Sequence, residues 1–246
     1  MNSKRDRVLL GMITPSSNTT LEPVTARMLA GLPEVSVHAG RFRVTEISMG
    51  SSALGQFDMA PMLAAADLLA DAHCSAICWN GTSAGWLGFE RDRQLCAEIE
   101  LRTGIRATSS VLALLDAFRL AGITRYGLVS PYTDDIQQAI VANFAHSGFE
   151  CVAERHSGIR VNFDFSTIEP ADIDRMLDEV AAARPQAVVV LCTNMDGAGL
   201  AEAFERRSGA LLLDSISTAA WGSLRTAGVD TRRVRGWGRL FSLTGA

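Results

Sequence analysis

The sequence lacks the features that mark membrane, secreted and nucleic-acid-binding proteins. Its apolar runs stay below the roughly 18 to 20 residues that cross a bilayer, and the N-terminal MNSKRDRVLLGMI shows no small-residue cleavage site. The 23 basic and 27 acidic residues give a formal charge of -4 and are spread along the chain, without the basic stripe that binds a phosphate backbone. We therefore expect a cytoplasmic protein with no membrane and no nucleic-acid partner.

Motifs for disulfides, metals and nucleotides are also absent. The five cysteines are odd in number and form no CxxC pair, and the four histidines stand without HxxH or HxxxH spacing. No phosphate loop of the GxxxxGK type occurs, and Gly197-Ala-Gly199 lacks the third glycine of a dinucleotide fingerprint. The sequence therefore predicts free thiols, no metal site and no NAD.

Apolar runs of strand length alternate with amphipathic segments of helix length, a pattern typical of βα units on a parallel sheet. The predicted strands are Val8 to Ile13, Val35 to Arg43, Ala76 to Trp79, Tyr126 to Val129, Glu150 to Arg155, Ala187 to Leu191 and Leu211 to Asp214. The predicted helices include Leu21 to Leu32, Met59 to Ala72 and Ile173 to Ala183. At 246 residues the chain can hold one large α/β domain or two smaller ones.

A weak internal repeat favours two lobes. Gly11-Met-Ile-Thr-Pro15 resembles Gly127-Leu-Val-Ser-Pro131, and Ala76 to Thr82 resembles Ala187 to Thr193 at nearly the same offset; chance similarity between apolar strands is the alternative. We expect two similar α/β lobes with parallel sheets, residues 1–115 and 116–246, related by a pseudo-twofold axis and joined near Thr108 to Thr124. Part of the C-terminal segment is expected to pack back onto the first lobe.

The turns that follow the predicted strands carry polar groups suited to a small carboxylate. Since α/β sheets bind ligands beyond the carboxyl ends of their strands, these turns should face one cleft between the lobes. In Pro15-Ser-Ser-Asn-Thr-Thr20, Ser17 and Asn18 either bind an anion or simply cap the following helix. In Asn80-Gly81-Thr82-Ser83, the glycine allows close backbone approach, and the hydroxyls and N–H groups can hold an oxyanion. The third turn, Pro131-Tyr-Thr-Asp-Asp135, adds a phenol at Tyr132.

Cys192 differs from the other four cysteines in its position. It ends the apolar run Val188 to Leu191 and opens a turn before a predicted helix. A thiol at such a turn lies near a helix N-terminus, which lowers its pKa and favours proton transfer or nucleophilic attack near neutral pH. We therefore single out Cys192 as a catalytic candidate and expect Cys96 and Cys151 to be silent in catalysis.

Together these turns resemble the aspartate/glutamate racemase superfamily and, within it, the branch of maleate cis-trans isomerases and arylmalonate decarboxylases, over roughly Leu9 to Val229. The resemblance implies two facing lobes, no cofactor, no metal, and a cysteine from each lobe beside the substrate carbon. It matches Asn18 to a carboxylate-binding asparagine and Tyr132 to a substrate-binding tyrosine. It also matches Asn162 to a second binding asparagine of the isomerases.

The two cysteines of the family are not both present here. Cys192 matches the second, whereas Gly81 stands where the first is expected. Arylmalonate decarboxylases resemble this arrangement, with a glycine followed by Thr-Ser and one remaining cysteine. That resemblance implies an enediolate that the oxyanion site holds and Cys192 protonates from one face. The substrate-binding residues it implies are Ser17, Asn18, Thr82, Ser83, Tyr132, Asn162 and Thr193.

Three functions stay open at this point. The first is a cofactor-independent decarboxylase of a substituted malonate or similar small dicarboxylate. The second is an isomerase or racemase in which another group replaces the first thiol; Cys78, three residues before Gly81, lies within the predicted strand. The third is a non-catalytic carboxylate-binding protein. Substrate identity and a homo-oligomeric state are also open, and the apolar residues after the third strand belong either to the pocket wall or to the core: Trp79, Trp86, Leu87 and Phe89.

Overall fold

The computed structural model describes residues 7–48 and 55–244. Its strands are β1 (Val8–Pro15), β2 (Val35–Phe42), β3 (Ala76–Trp79), β4 (Ala107–Ser109), β5 (Arg125–Ser130), β6 (Glu150–His156), β7 (Ala187–Val190) and β8 (Leu211–Asp214). They form two four-stranded parallel sheets, in the orders β2-β1-β3-β4 and β6-β5-β7-β8. The same order in both halves confirms the predicted α/β fold of two similar lobes.

Helices follow nearly every strand. They are α1 (Leu21–Met28), α2 (Met59–Asp71), α3 (Ala84–Leu87), α4 (Phe89–Thr103), α5 (Ser110–Leu120), α6 (Asp134–His146), α7 (Pro170–Ala181), α8 (Ala201–Ser208) and α9 (Ser215–Thr226). The central strands are buried on both faces, and every side chain of β7 is fully buried, as expected where helices cover a parallel sheet. Among the described residues no helix is long and apolar enough to span a membrane.

All seven predicted strands are present, with ends shifted by at most two residues. The sequence missed β4, whose three residues are too few to produce a recognisable apolar run. Together β4 and α5 occupy most of the segment where the sequence predicted the joint between the lobes.

Two helices cross between the sheets. Phe118 of α5 packs its ring 5.5 Å from that of Tyr126 in β5. In the other direction, α9 leaves β8 and packs on β3 and β4 of the first sheet, with residues Ser215 to Leu224 all buried. This exchange holds the two sheets together and brings the ends of their strands to a common cleft.

Candidate active site

A small cavity lies beyond the carboxyl ends of the strands, between the two lobes. Its volume is about 20 Å³, room for little more than one water molecule. Seven of the nine residues that the sequence predicted for the site line it: Gly81, Thr82, Ser83, Tyr132, Asn162, Cys192 and Thr193. A larger cavity, of about 660 Å³, lies beside the C-terminal residues and contains none of these seven.

Gly81 faces the indole of Trp79. A Cβ built on Gly81 would lie 2.0 Å from Cζ2, 2.4 Å from Cη2 and 2.6 Å from Cε2 of Trp79, well inside any real contact distance. Trp79 ends β3, is 1% exposed and packs against the ring of Phe42 at 5.3 Å. Position 81 must therefore be glycine, because a ring fills the space that any side chain there would enter. The structure leaves no room for a thiol at this position.

A pair of hydroxyls joins the two lobes across the cavity. Thr82 Oγ1 and the Tyr132 hydroxyl lie 2.5 Å apart, and either can be the donor. The Tyr132 ring is held edge-on between Trp86 at 5.1 Å and Phe165 at 5.5 Å. Burial raises the pKa of Tyr132 well above its usual value, so that the phenol keeps its proton. The pair can therefore supply a hydrogen-bond donor to a ligand oxygen.

Free backbone N–H groups surround the same cavity. Those of Thr82 and Ser83 make no hydrogen bond to any other described residue. On the facing lobe, the N–H groups of Cys192 and Thr193 are equally free of bonds within the part of the chain that the structure describes. Clustered N–H donors of this kind suit an oxyanion. Each lobe thus offers free N–H donors to the cavity.

The Cys192 side chain is a protonated thiol rather than a thiolate. It is 2% exposed, and burial raises its pKa to about 12, an effect that the carboxyl of Asp214 reinforces. The Asn194 N–H, 3.3 Å from Sγ, and the Tyr132 hydroxyl act in the opposite direction and do not offset burial. The thiol therefore stays protonated at neutral pH.

The expectation that a helix N-terminus lowers the pKa of Cys192 is wrong. A turn follows Cys192, then a short 3-10 helix at Ala198–Leu200, and α8 begins only at Ala201. The macrodipole effect fades within the first turn of a helix, so α8 is too far away to act on the thiol. The low dielectric of the buried site decides the pKa instead.

Ser17 and Asn18 do not line the cavity but hold the residues that do. The Asn18 side-chain amide donates to the carbonyl and hydroxyl oxygens of Thr193 at 3.0 and 3.1 Å. Its oxygen accepts the N–H groups of Thr20 and Leu21, both at 3.0 Å, at the start of α1. Asn18 therefore caps a helix and bridges the lobes at once, and direct binding of substrate by this residue stays a prediction.

Ser17 belongs to a second bridge between the lobes. The side-chain amide of Asn162 donates to Ser17 Oγ at 2.7 Å, and Ser17 in turn donates to the carbonyl of Val44 at 2.6 Å. Asn194 reaches across as well, accepting the N–H of Thr19 at 2.9 Å and donating to the Asn162 carbonyl at 2.6 Å. These contacts fix Asn162 at the cavity wall; the role of Ser17 in binding substrate stays a prediction.

Sequence reasoning missed the segment that covers the cavity. Val44 and Ile47, which follow β2, and Phe57 line it from the outside. The segment is tied to the second lobe, since Ile47 N–H bonds the carbonyl of Arg160 at 2.9 Å and a bridge pairs Glu46 with Val161. The rule that ligands lie beyond the carboxyl ends of strands, applied also to β2, would have pointed to these residues.

The four apolar residues whose place was open divide between the pocket and the core. Trp79 and Trp86 line the cavity, whereas Phe89 packs against Phe144 at a ring distance of 5.0 Å and Leu87 packs against the core. The indole nitrogens of both tryptophans are buried without a hydrogen-bond partner. Cys78 does not line the cavity. Among the described residues no cluster of three or more acidic, histidine or cysteine side chains can hold a metal ion.

Comparison with known proteins agrees with this arrangement. The family model of arylmalonate decarboxylase matches residues 10–241. The chain is 26% identical over 238 residues to a maleate isomerase from Nocardia farcinica, with 94% of both chains covered, and 23% identical over 235 residues to an arylmalonate decarboxylase from Bordetella bronchiseptica, covering 94% of this chain and 95% of the other.

The fold has a close counterpart among solved structures. A cysteine-to-serine variant of Nocardia farcinica maleate cis-trans isomerase, with a covalently bound succinylcysteine intermediate, matches with a TM-score of 0.88 and 23% identity, over 97% of this chain and 99% of the other. The relatives named here are isomerases and a decarboxylase, all enzymes. With the family model matching nearly its whole length, the chain belongs to the arylmalonate decarboxylase family.

Proposed function

We propose that the protein is a decarboxylase of a small substituted malonate or a similar dicarboxylate. One observation carries the proposal: the Trp79 ring fills the space beside Gly81, where isomerases and racemases of the superfamily would carry their first thiol. Among the described residues, Cys192 is then the only cysteine at the cavity. A single protonated thiol suits a reaction that needs one proton donor and no thiolate nucleophile.

The retained carboxylate of the substrate is held by the turn after β3 together with Tyr132 of the second lobe. Its hydrogen-bond donors are the hydroxyl pair of Thr82 and Tyr132 and the N–H groups of Thr82 and Ser83. The hydrogen bonds from these donors become stronger as negative charge develops on the enediolate. These donors are fixed by the fold before reaction, so that stabilising the developing charge requires little reorganisation. Thr193 and Asn162 are assigned to the other end of the substrate.

The departing carboxylate lies toward the apolar wall of Val44, Ile47 and Phe57. The bond between this carboxylate and the reacting carbon breaks, and its electron pair stays with the reacting carbon. Carbon dioxide leaves, and the enediolate remains. The Cys192 S–H bond then breaks, its proton passes to that carbon, and the thiolate regains a proton from water. A malonate is larger than the cavity, so the cover over the site must move to admit it.

Isomerisation is the second candidate, and the similarity to maleate isomerases over nearly the whole chain favours it. It needs a nucleophile on the face of the substrate opposite Cys192. Cys78 is a poor choice, because it is fully buried, lies outside the cavity, and has its pKa raised to about 12 by burial. Decarboxylation requires no such group.

The test is to incubate the purified protein with malonate, methylmalonate, phenylmalonate and maleate, following carbon dioxide release and fumarate formation in parallel. We expect carbon dioxide from at least one malonate and no fumarate. Fumarate without carbon dioxide would assign the isomerase instead. Binding of these acids without turnover would make the protein a carboxylate-binding member of its family. As a control, the assays are repeated with a chelator, which suppresses any contaminating decarboxylase that depends on a metal ion.

A further inference from the structure

Two cavities meet at Trp79. Beside the catalytic cavity lies an inner cavity of about 10 Å³, which we define by six of its residues: Phe57, Met62, Trp79, Ser83, Asp92 and Leu95. Phe57, Trp79 and Ser83 line both cavities, whereas Met62, Asp92 and Leu95 line only the inner one. Trp79 is the largest side chain in the shared wall.

We propose that Trp79 sets the size of the substituent on the reacting carbon, by closing the inner cavity off from the catalytic cavity. The identity of the ligand as a malonate rests on the proposed function. The native protein then takes malonates that carry hydrogen or a methyl group. Malonates with an aryl substituent are excluded until the indole is removed.

The wall at Trp79 is fixed, unlike the cover on the other side of the site. Trp79 belongs to β3 in the core of the first lobe, is 1% exposed, and lies between the ring of Phe42 and the backbone of Gly81. The outer wall at Val44 and Ile47 is a connection between elements, which can move more easily than a buried strand. A larger substituent therefore meets an immovable surface at Trp79.

The pairing of Trp79 with Gly81 supports the same conclusion. Only glycine leaves room for the indole, and the indole is the largest of the three side chains that the two cavities share. Cε2, which is bonded directly to Nε1, lies against Gly81, so the indole stands beside the oxyanion donors of the following turn. Since an indole is larger than a phenyl ring, its removal leaves space for an aryl group next to those donors.

The inner cavity is also lined by residues with buried polar atoms that lack a hydrogen-bond partner. Asp92 Oδ2 and Trp79 Nε1 are both buried without a hydrogen-bond partner. Asp92 is 2% exposed, and no other described residue bonds that oxygen. Once joined to the catalytic cavity, the inner cavity can therefore accept an aryl group that carries a hydroxyl donor, such as hydroxyphenyl, better than phenyl alone.

The experiment measures the affinities of malonate, methylmalonate and phenylmalonate by isothermal titration calorimetry. The proteins compared have the native Trp79 and Leu95, Trp79→Ala, Trp79→Leu or Leu95→Ala, and each also carries Cys192→Ala so that turnover adds no heat. We expect the native protein to bind phenylmalonate at least about tenfold more weakly than methylmalonate, and both Trp79 variants to raise the phenylmalonate-to-methylmalonate affinity ratio by about tenfold or more. Leu95→Ala enlarges the inner cavity without opening the wall, so its ratio should equal the native one.

Several outcomes overturn the proposal. An unchanged ratio in a folded Trp79 variant that still binds methylmalonate would do so, as would native binding of phenylmalonate equal to that of methylmalonate. An equal rise of the affinity ratio in Leu95→Ala would mean that the volume of the inner cavity, and not Trp79, sets the size of the accepted substituent. Circular dichroism checks folding, and Trp79→Leu keeps more of the packing if Trp79→Ala unfolds. Carbon dioxide release is measured separately. If the affinity ratios shift as expected but no malonate is decarboxylated, the proposed function is refuted, whereas the role of Trp79 in setting the substituent size is supported.

Discussion

The indole of Trp79 lies so close to Gly81 that a Cβ at position 81 would be 2.0 Å from Cζ2. Gly81→Ala should therefore destabilise the fold by about 1 to 3 kcal/mol, the range for overpacking a buried site. Chemical denaturation of the native and variant proteins measures this. Gly199→Ala is the matched control, because nothing lies within 4 Å of its Cβ position and the change should stay within about 0.5 kcal/mol.

The clash between a side chain at position 81 and the Trp79 ring can also be relieved by shortening Trp79. In the double variant Trp79→Leu/Gly81→Ala, the two changes should cost less than the sum of the single ones, since the shorter side chain makes room for the added methyl. Strict additivity would mean that the ring and the glycine are not coupled. Trp79→Leu alone is likewise the background in which a cysteine at position 81 can be accommodated.

Cys192→Ala should lower kcat by about a hundredfold to ten-thousandfold, the usual contribution of a positioned proton donor. The fold should persist, because the Cys192 side chain interacts with the Asn194 N–H and the Tyr132 hydroxyl, both within its own lobe, and makes no described hydrogen bond to the other lobe. Cys96→Ala and Cys151→Ala remove thiols that do not line the cavity and serve as controls. Full activity of Cys192→Ala would remove the residue from the mechanism.

Much of this site was predictable from local sequence. The apolar runs gave the strands, and polar turn residues after them gave Gly81, Tyr132 and Cys192, because strand ends in parallel sheets collect at one edge. The pKa of Cys192 was not predictable in this way. The chain after it turns through Gly197 and Gly199 instead of entering a helix directly, and glycine disfavours the helix interior.

The missing parts depend on contacts between distant residues. The bridge of Glu46 with Val161 closes the cover over the cavity, and no local pattern records that pairing. The position of the Trp79 ring over Gly81 also depends on packing against Phe42, which belongs to another strand. The W-x-G spacing is visible in the sequence, but the side-chain direction that makes the glycine necessary is not.

Protonation from one side predicts the stereochemistry. With Cys192 as the one cysteine at the cavity among the described residues, methylmalonate turned over in deuterated water should give one enantiomer of propionate that carries a single deuterium on its α-carbon. Neither enantiomer of this product should racemise or exchange an α-hydrogen when returned to the enzyme. Deuterium NMR of a chiral ester and mass spectrometry read both quantities. Rapid exchange by the native protein would mean that a second acid faces the same carbon.

The pH dependence of the rate follows from the raised pKa of Cys192. A general acid works in its protonated form, so a pKa of about 12 keeps the thiol competent well above the value of 9.0 for an ordinary cysteine. We expect kcat/KM to stay level between pH 8 and pH 10, to within about threefold. A tenfold fall per pH unit beginning near 9 would place the thiol in a solvent-like environment. Circular dichroism at each pH guards against unfolding.

The last prediction concerns the buried Asp92 carboxyl of the inner cavity. Burial raises its pKa from 3.8 to about 7, against a smaller opposing effect of the Ser109 hydroxyl. Between these two pH values the folded protein holds a proton that the unfolded chain has released, so the free energy of unfolding falls as the pH rises from about 4 to about 7. Asp92→Asn removes this contribution, and the loss of stability across that window should shrink by up to about 4 kcal/mol. Urea denaturation at pH 4 and pH 8 measures it, with the exposed Asp116→Asn as the control that should leave the pH dependence unchanged. A slope for Asp92→Asn equal to the native one would mean that Asp92 is ionised in the folded protein, and that the inner cavity contains a charge rather than a neutral acid.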